Sequence, residues 1–524
     1  MAGEKRNPSE GERVLLLNKG KRGLGRLIFG RTGVILLLLA VQCLMLLDGF
    51  VWLGEYVVYG GSMLLSLAVA LVVVNRPKNP AVKITWIILI MLAPVFAIPF
   101  YLFIELELGH RLARARLEEI YRDTAQYAQP GPGERLREQA PAMAGIAAYM
   151  ERFGGHVFRQ NSGVKYLPDG EVFLEEVLLQ LEQAERFIFL EYFIVEEGYM
   201  WGRILDVLER KARAGVEVRV MYDGTCVLGK LPYQYPKKLE ALGIRCKMFD
   251  PLRPLVSTRY NNRDHRKILV VDGRCAFTGG INLADEYINR RNLHGHWKDT
   301  AVMLTGEAVR GFTMMFLRMW SVGERPGEDY LQYLDASGPV EAEGWALSYG
   351  SSPFHEETVG EMVYMDILNR AADYVHITTP YLIIDHEMIT ALTFAAKRGV
   401  DVKLIVPGNP DKKTVFAVTR SYYKELIEGG VEIYEYTPGF IHAKMFVSDD
   451  STAVVGSINL DYRSLYLHFE CAALLYRCPA VTEVEQDFQQ TLAQCRRITV
   501  EDCRKDRFFR RLTGWLLRPL APLM

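Results

Sequence analysis

The sequence contains one polar motif twice, each time at the start of an apolar stretch that is typical of a buried strand. The first copy begins "HRKILVVDG" and the second begins "HAKMFVSDD", and in both a Gly and an Asn follow at the same distances. The shared pattern is HxK(x)4D(x)6G(x)2N. A chain that repeats such a pattern is expected to place its two copies at equivalent points of two similar units. The members are His265, Lys267, Asp272, Gly279 and Asn282 in the first copy, and His442, Lys444, Asp449, Gly456 and Asn459 in the second.

The repetition extends into the sequence before each motif. Residues 186–224 and residues 374–409 both read as a strand, a helix, a glycine turn and a strand, with similar junctions, "ARAGVEVRV" and "AKRGVDVKL". Because such units form parallel strands with helices packed on the faces of the sheet, the pattern predicts an α/β fold. We expect two similar halves that form one pseudo-twofold catalytic unit. The predicted halves are 161–340, with its motif region at 259–286, and 341–503, with its motif region at 436–463.

The residue types of the motif suit a phosphodiester. On a strand, residues two apart share a face, so the His and Lys of each copy project together. Lys and Asn groups can hold the non-bridging oxygens, while one imidazole attacks phosphorus and the other protonates the leaving alkoxide. These two roles require environments that separate the pKa values of the histidines. Asp272 and Asp449 have the opposite parity, so we expect them to support the site from the turn. We predict no metal ion and no cofactor.

With these motifs the chain resembles the phospholipase D superfamily and, within it, the bacterial cardiolipin synthases. The similar blocks include "RYNNRDHRKILVVDGRCAFTGGINLADEY", "HWKDT", "ITTPYLIID", "SYYKELIEGGVEIYEYTPGFIHAK" and "SINLDYRSLYLHFE", and the resemblance covers about residue 70 to the end. It implies a phosphatidyltransferase. One phosphatidylglycerol gives its phosphatidyl group to the enzyme and releases glycerol, and a hydroxyl of a second phosphatidylglycerol then accepts the group to give cardiolipin.

The resemblance also implies roles for individual residues. A carboxylate beyond each motif is expected to orient its histidine, Asp299 in "WKD" and Glu470 in "HFE". His265 is expected to be the nucleophile and His442 the general acid and then the general base, although the repeat also permits the reverse. The predicted catalytic set is His265, Lys267, Asp272, His442, Lys444 and Asp449, with Asn282, Asn459, Asp299 and Glu470 in supporting or phosphate-binding positions.

Other functions of the superfamily use the same residues. A phospholipase D-type hydrolase would transfer the phosphatidyl group to water, and a phosphatidylserine synthase would transfer it to serine. A nuclease is disfavoured because the formal net charge is only −1. A non-catalytic lipid-binding protein would tolerate the loss of one histidine, yet both motifs are complete. The eight cysteines form no CxxC pair, which indicates neither a zinc site nor a disulfide framework.

Three apolar stretches near the N-terminus favour a phospholipid substrate and membrane attachment. They lie at 33–53, 57–74 and 86–104, within a predicted anchoring region at 1–110. Each has about the length that a membrane-spanning helix requires, so we expect transmembrane helices and a multi-pass protein of the bacterial cell membrane. Pro94 and Pro99 interrupt the third stretch and permit a re-entrant segment, so the face that holds the catalytic region stays open.

Two further segments flank the predicted halves. Residues 111–160, which contain "QPGPGERLREQAP", are predicted to form a helical linker. Residues 504–524 alternate basic residues with Phe, Leu and Trp, which suits the headgroup region of an anionic membrane. The alternative for this basic amphipathic tail is a helix docked on the protein body.

Overall fold

The computed structural model describes residues 61–106, 108–250, 261–324, 328–334, 338–355 and 357–523. The predicted apolar stretch at 33–53, the beginning of the stretch at 57–74 and the first two residues of the motif region at 259–286 lie outside these ranges.

Six α-helices precede the first strand in the described residues. They are α1 (Gly61–Val74), α2 (Pro80–Leu92), α3 (Pro94–Leu106), α4 (Leu108–Asp123), α5 (Gly133–Gln139) and α6 (Ala144–Tyr149). The predicted span at 86–104 is not one helix, because α2 ends at the cap residue Ala93 and Pro94 begins α3. Among the described residues, no helix combines the length and the apolar character needed to cross a bilayer.

The predicted linker at 111–160 is part of the folded body. Helix α5 forms inside "QPGPGERLREQAP", within the predicted helical linker. Its Leu136 is buried in the core of the second half, and Leu117 of α4 is buried in a core that contains strands of both halves. Burial of these side chains stabilises the segment on the protein body.

The first half is built on a seven-stranded sheet with the order β1-β8-β6-β5-β2-β3-β4. The strands of this part of the chain are β1 (Val164–Leu167), β2 (Phe187–Tyr192), β3 (Glu217–Asp223), β4 (Arg245–Phe249), β5 (Lys267–Val271), β6 (Cys275–Gly279), β7 (His296–Lys298) and β8 (Ala301–Thr305). The helices are α7 (Gly170–Glu182), α8 (Tyr199–Arg213), α9 (Tyr235–Glu240), α10 (Val309–Trp320) and α11 (Leu331–Leu334).

The second half is built on an eight-stranded sheet with the order β19-β13-β12-β10-β15-β16-β18-β9. Its strands are β9 (Trp345–Ser351), β10 (Tyr374–Thr378), β11 (Leu382–Ile383), β12 (Asp401–Pro407), β13 (Glu432–Tyr436), β14 (Gly439–Ile441), β15 (Met445–Ser448), β16 (Thr452–Gly456), β17 (Leu460–Asp461), β18 (Glu470–Tyr476) and β19 (Cys495–Ile498). The helices are α12 (Val359–Arg370), α13 (His386–Lys397), α14 (Lys413–Glu428), α15 (Pro479–Leu492), α16 (Val500–Lys505) and α17 (Phe508–Leu517).

The two sheets have equivalent topologies, which confirms the prediction of two similar α/β halves. The order β4-β3-β2-β5-β6-β8-β1 in the first corresponds to β13-β12-β10-β15-β16-β18-β9 in the second, where β19 adds an edge strand. In each sheet three parallel strands are followed by an antiparallel motif strand, β5 beside β2 and β15 beside β10. The predicted glycine turns are also equivalent, since Gly215 and Gly399 have φ angles of 93° and 97°.

Backbone pairing across the halves brings the two motifs together. Strand β14, just before the second motif, pairs in parallel with β7 of the first half. In the equivalent position, Asp264 forms a parallel bridge with Phe469 of the second half. One apolar core contains residues of both sheets, including Val270 of β5 and Val455 of β16. The halves are therefore joined at the ends of the motif strands, where the polar residues lie.

Candidate active site

The two motif histidines lie just before their strands and not within them. The backbone N–H of His265 donates to the carbonyl of Phe469 at 2.9 Å, and that of His442 donates to the carbonyl of Lys298 at 2.6 Å. Each histidine backbone therefore pairs with the opposite half, which explains why strand pairing within its own sheet begins only after it. The sequence pattern predicted histidines on the strands themselves, because it contains no information on pairing between the halves.

Each histidine is held by a carboxylate from the opposite half. Nδ1 of His265 lies 2.9 Å from both carboxylate oxygens of Glu470, and Nδ1 of His442 lies 2.6 Å from Oδ2 of Asp299. The sequence indicates both carboxylates, each expected to orient the histidine of the motif that it follows along the chain, and the structure exchanges the two partners. Because Nδ1 of each ring is engaged in this way, Nε2 of each ring is left for a substrate.

The two motif lysines are buried beside the histidines. Nζ of Lys267 donates to the carbonyl of His265 at 2.5 Å, and Nζ of Lys444 lies 2.9 Å from Nδ1 of His442 and also donates to the carbonyl of that residue. Burial lowers the pKa of Lys267 to about 8 and that of Lys444 to about 7. An ammonium group has three donors, so each protonated lysine keeps donors for phosphate oxygens.

The electrostatics of the histidines show that the two motifs form one cluster. Burial, followed by the charges of Lys267 and Lys444 among others, lowers the pKa of His265 well below its ordinary value. Burial and Lys444 lower the pKa of His442 to about 4, although Asp299 opposes the shift. Both imidazoles therefore favour the neutral form at pH 7. Asp299 favours the charged form of His442 against burial and Lys444, as a residue that takes up and returns a proton requires.

The two motif asparagines have different surroundings. The side-chain carbonyl of Asn282 accepts from the backbone N–H of Ile194 at 3.0 Å, and its amide donates to the Tyr287 hydroxyl at 2.7 Å. In contrast, Oδ1 of Asn459 is buried and has no hydrogen-bond partner in the described part of the chain. Asn282 thus braces its own half. A phosphate-binding role for the two asparagines stays a prediction.

The motif aspartates hold the sheets and do not face the substrate position. Asp272 accepts three backbone N–H groups, those of residues 185–187, each at 2.8 Å. Asp449 accepts the N–H groups of residues 372–374 at 2.8 to 3.0 Å. With their oxygens committed to the starts of β2 and β10, both aspartates support the site from the turn. This position is the one expected from their parity in the motif, and their membership of the predicted catalytic set stays a prediction.

Two aromatic rings beside the histidines were missed by the sequence analysis. The ring of His468 lies 5.6 Å from that of His265, and the ring of Trp297 lies 5.6 Å from that of His442. Each precedes its carboxylate by two residues, in "HFE" and "WKD", so the two rings occupy equivalent positions in the halves. The sequence feature that could have revealed both rings is their shared position two residues before the carboxylate, because residues two apart on a strand lie on the same face.

One group of side chains in the site has the separations of metal ligands. Ligand atoms of His265, His468 and Glu470 all lie within 4.8 Å of one another. Both Glu470 oxygens are already engaged with Nδ1 of His265, and Ser457 also donates to this carboxylate. The charge of the Lys267 ammonium lowers the pKa of the same carboxylate. A further cation would have to displace these hydrogen bonds beside an existing positive charge, so the donor set fits a metal ion poorly.

Comparison with known proteins gives the family. A family profile described as "Cardiolipin synthase, PLD-like domain" matches residues 177–320 and 364–492, which correspond to the two halves. A relative from Streptococcus mutans, described as an uncharacterized protein, is 48% identical over 87% of this chain and 99% of its own length. A relative described as cardiolipin synthase from Halalkalibacterium halodurans is 32% identical over 94% of this chain and 99% of its own length.

A solved structure shares the fold. The phosphatidylserine synthase of Haemophilus influenzae superimposes with a TM-score of 0.54 at 13% identity, over 72% of this chain and 96% of that one. The fold match, the profile and the curated relatives agree with the doubled motif and with the paired halves. The chain belongs to the cardiolipin synthase family of phospholipase D-like proteins.

Proposed function

We propose that this protein makes cardiolipin by moving a phosphatidyl group from one phosphatidylglycerol to a hydroxyl of a second. One observation carries the proposal: two neutral histidines, each held at Nδ1 by a carboxylate from the opposite half, share one cluster with two buried lysines. Such a cluster offers two Nε2 atoms and two cations to a single phosphodiester. The named relatives of the family support the choice of substrate and product.

In the first step, Nε2 of His265 attacks phosphorus and the bond from phosphorus to the glycerol oxygen breaks. His442, as imidazolium, donates its proton to this oxygen, so that glycerol leaves as a neutral molecule. In the protein alone the pKa of His442 is about 4. The anionic phosphodiester favours the charged form of the imidazole, so substrate binding raises that pKa and supplies the acid.

In the second step, the now neutral His442 accepts the proton of the incoming hydroxyl of the second phosphatidylglycerol. The hydroxyl oxygen attacks phosphorus, the bond from phosphorus to His265 breaks, and His265 returns to its neutral state. Lys267 and Lys444 stabilise the charge on the non-bridging oxygens in both steps. One phosphodiester replaces another, so the reaction is close to balanced and needs no nucleoside triphosphate.

We also propose that the protein acts at the bacterial cell membrane, attached through its N-terminal apolar region and its C-terminal tail. Helix α17 packs against α14, where Gly514 approaches Ala417 closely. Its other face leaves Phe508, Phe509 and Trp515 mostly exposed, at 68%, 79% and 72%. Arginines alternate with these side chains, which suits insertion into the headgroup region of an anionic bilayer.

The tail also contacts the N-terminal apolar helices. The hydroxyl of Thr85 in α2 donates to the carbonyl of Pro519 at 2.5 Å. Leucines of α1, including Leu64 and Leu67, are more than half exposed. The exposed apolar side chains of α1 and of α17 support a membrane-facing role for both segments.

The proposed reaction is tested by incubating the purified full-length protein with vesicles of phosphatidylglycerol labelled in both glycerol groups. Cardiolipin and free glycerol in equal amounts are expected. Phosphatidic acid with glycerol would instead identify a hydrolase, and phosphatidylserine formed only on addition of serine would identify a phosphatidylserine synthase. The His442→Ala protein serves as the control, because it should form neither product at a comparable rate.

The proposed attachment is tested separately by vesicle flotation. The double variant Phe509→Ser, Trp515→Ser should bind anionic vesicles more weakly than the parent protein, because it exposes less apolar surface to the headgroup region. Unchanged flotation of this variant would contradict a role for the tail. Its activity on detergent-dispersed phosphatidylglycerol should stay near that of the parent.

A further inference from the structure

His468 is a buried polar ring without hydrogen-bond partners. Both of its ring nitrogens are buried and unpartnered in the described part of the chain. The nearest carboxylate oxygen, Oε1 of Glu470, lies 3.8 Å from Nδ1, beyond hydrogen-bond distance. Burying two unsatisfied nitrogens is unfavourable, and a phenyl ring would fill the same space without that cost. The ring therefore suits a ligand better than it suits a purely structural role.

Arg463 is a second unpartnered group beside it. It begins a π-helical turn that ends at Leu467, and its carbonyl accepts the backbone N–H of His468 at 2.8 Å. The guanidinium is half-buried, and within the described residues no carboxylate lies within 4.0 Å of it. Burial lowers its pKa, which Asp461 partly offsets. A half-buried arginine that forms no ion pair within 4.0 Å keeps its donors available for an anion.

These groups border the catalytic cluster. The ring of His468 lies 5.6 Å from that of His265, and its Nδ1 lies 3.8 Å from Glu470, the carboxylate that holds His265. Burial lowers the pKa of His468 well below its ordinary value, and Arg463, Lys267, Arg263 and Lys412 lower it further. The group formed by Arg463, His468 and Lys412 thus adjoins the position for the reacting phosphate.

The charge balance of this group favours an anion. Lys412 is exposed, with Nζ 5.4 Å above the ring of Tyr381. Asp461 and Glu470 are acidic neighbours of the group, and both carboxylates are already engaged. Asp461 accepts the backbone N–H of Ser464 at 2.8 Å. Glu470, with Oε1 3.8 Å from Nδ1 of His468, holds His265 and accepts from Ser457. The charges of Arg463, Lys412 and Lys444 all lower the pKa of Asp461, which places the group next to the second motif.

The proposed reaction brings a second anion to the site. The acceptor phosphatidylglycerol carries its own phosphodiester, and in cardiolipin a single glycerol joins the two phosphates. A site for the second phosphate must therefore lie beside the first. His468 satisfies this condition, since its ring is 5.6 Å from that of His265.

We propose that Arg463 and His468, with Lys412 at the rim, form a second phosphate subsite that holds the phosphodiester of the acceptor phosphatidylglycerol. This inference rests on the proposed function and specifies how the acceptor is recognised. The guanidinium and the imidazole N–H donate to the non-bridging oxygens of the acceptor, and its free hydroxyl is thereby directed toward phosphorus on His265. An acceptor with the same hydroxyls but no phosphate loses these contacts.

The test is a competition between two acceptors in one reaction. Vesicles contain phosphatidylglycerol and monooleoylglycerol, which offers two free hydroxyls but no phosphate, and the ratio of cardiolipin to phosphatidyl-monooleoylglycerol is measured. A product ratio does not depend on the amount of active enzyme, so partial misfolding of a variant does not affect it. The parent protein should favour cardiolipin.

The Arg463→Gln variant should lower this ratio by about tenfold to a hundredfold, the range for losing a hydrogen bond to a charged group. His468→Phe should lower it in the same direction. Arg463→Lys and His468→Asn, which keep a cation and a donor, should retain most of the preference. The matched control is Arg213→Gln, which removes an exposed arginine from α8 and should leave the ratio unchanged.

Three outcomes would overturn the inference: an unchanged ratio in both Arg463→Gln and His468→Phe, an equal fall in the Arg213→Gln control, or no preference for phosphatidylglycerol in the parent protein. If Arg463 served the reacting phosphate, both products would fall together and the ratio would stay constant. Failure of the parent protein to form cardiolipin at all would refute the proposed function, and this result is distinct from an unchanged ratio.

Discussion

His265 and His442 occupy equivalent positions in the two halves, yet their neighbours differ. Glu470 offers two oxygens at equal distance to Nδ1 of His265, whereas Asp299 offers one oxygen to Nδ1 of His442 and uses the other to accept the backbone N–H of Thr300. The flanking ring is an imidazole at His265 and an indole, that of Trp297, at His442.

This difference shows how a duplicated motif can perform two unlike steps. The shared motif places two Nε2 atoms and two ammonium groups around one position, as a symmetrical site would. Residues outside the motif then differ, since Asp299 raises the pKa of His442 against the effect of burial. This difference agrees with the proposed roles, nucleophilic attack by His265 and proton transfer by His442, and four predictions test them.

The largest expected effect distinguishes the two histidines. His265→Ala should form no covalent phosphatidyl adduct, because it lacks the nucleophile. His442→Ala keeps the nucleophile and loses proton transfer, an effect of roughly 10²–10⁴ on the rate. With a phosphatidyl ester of a good leaving group, which needs no acid, His442→Ala should accumulate phosphatidyl-His265 and stall there.

The measurement is acid-quenched mass spectrometry of both variants with this activated ester. An adduct on His265 is expected in the His442→Ala protein, and none in the reciprocal variant. An adduct on His442 in the His265→Ala protein, with none in the other, would reverse the assignment. Adducts in both variants would show that the halves are functionally equivalent.

The crossed carboxylates should also differ. Asp299→Asn should lower kcat by up to about 10⁴, the scale for a carboxylate that holds a catalytic histidine in its tautomer and stabilises the imidazolium. Burial raises the pKa of Glu470 to about 8, so below that pH Gln resembles its protonated form. Glu470→Gln should therefore cost less than Asp299→Asn at pH 6.5, where steady-state kinetics of the two variants are compared. Equal losses would indicate that both carboxylates act in the same way.

The pH dependence of the parent protein should reflect the lysines. Each must be protonated to bind phosphate oxygens, and the pKa of Lys444, about 7, is lower than that of Lys267, about 8. Because both proteins need the same proton on His442, the ratio of kcat/KM in the parent to kcat/KM in Lys444→Arg isolates the lysine. Arginine keeps its charge throughout, so this ratio should fall as the pH rises through 7. A ratio that does not change with pH would show that the Lys444 proton is not required.

Much of this arrangement could be predicted from the sequence, because the repeat fixes it. The strand–helix–strand units, the glycine turns and the two equivalent sheets follow from local pattern, and so does the meeting of two His and two Lys. The exchange of Glu470 and Asp299 could not be predicted in this way. It depends on how β7 pairs with β14 and Asp264 with Phe469, contacts between residues far apart in the sequence.

Burial was the other source of differences. The Pro- and Gly-rich stretch around α5 was predicted as a linker because composition does not show that Leu136 enters the core of the second half. His468 was overlooked because a histidine in "HFE" has no special meaning until its ring is found without partners beside His265.

The smallest expected effect on chemistry concerns the motif aspartates, where the halves should differ in stability and not in rate. Asp272→Asn and Asp449→Asn each replace an oxygen that accepts backbone N–H groups by an amide that cannot, which should lower the free energy of unfolding by about 1–3 kcal/mol. Both aspartates have positive φ angles, 55° and 51°. Asparagine tolerates this conformation well, so the substitutions add little backbone strain.

Asp272 is buried whereas Asp449 is half-buried, so an unpaired N–H beside Asp272 is less able to find water, and Asp272→Asn should be the more destabilising change. Urea unfolding of the two variants measures this difference. Cardiolipin formation per folded molecule should stay within about twofold of the parent, because neither carboxylate contacts the substrate. A large loss of activity with unchanged stability would instead place these aspartates in the catalytic set. That outcome would also mean that the three backbone N–H groups at each turn find other hydrogen-bond acceptors when the aspartate is replaced.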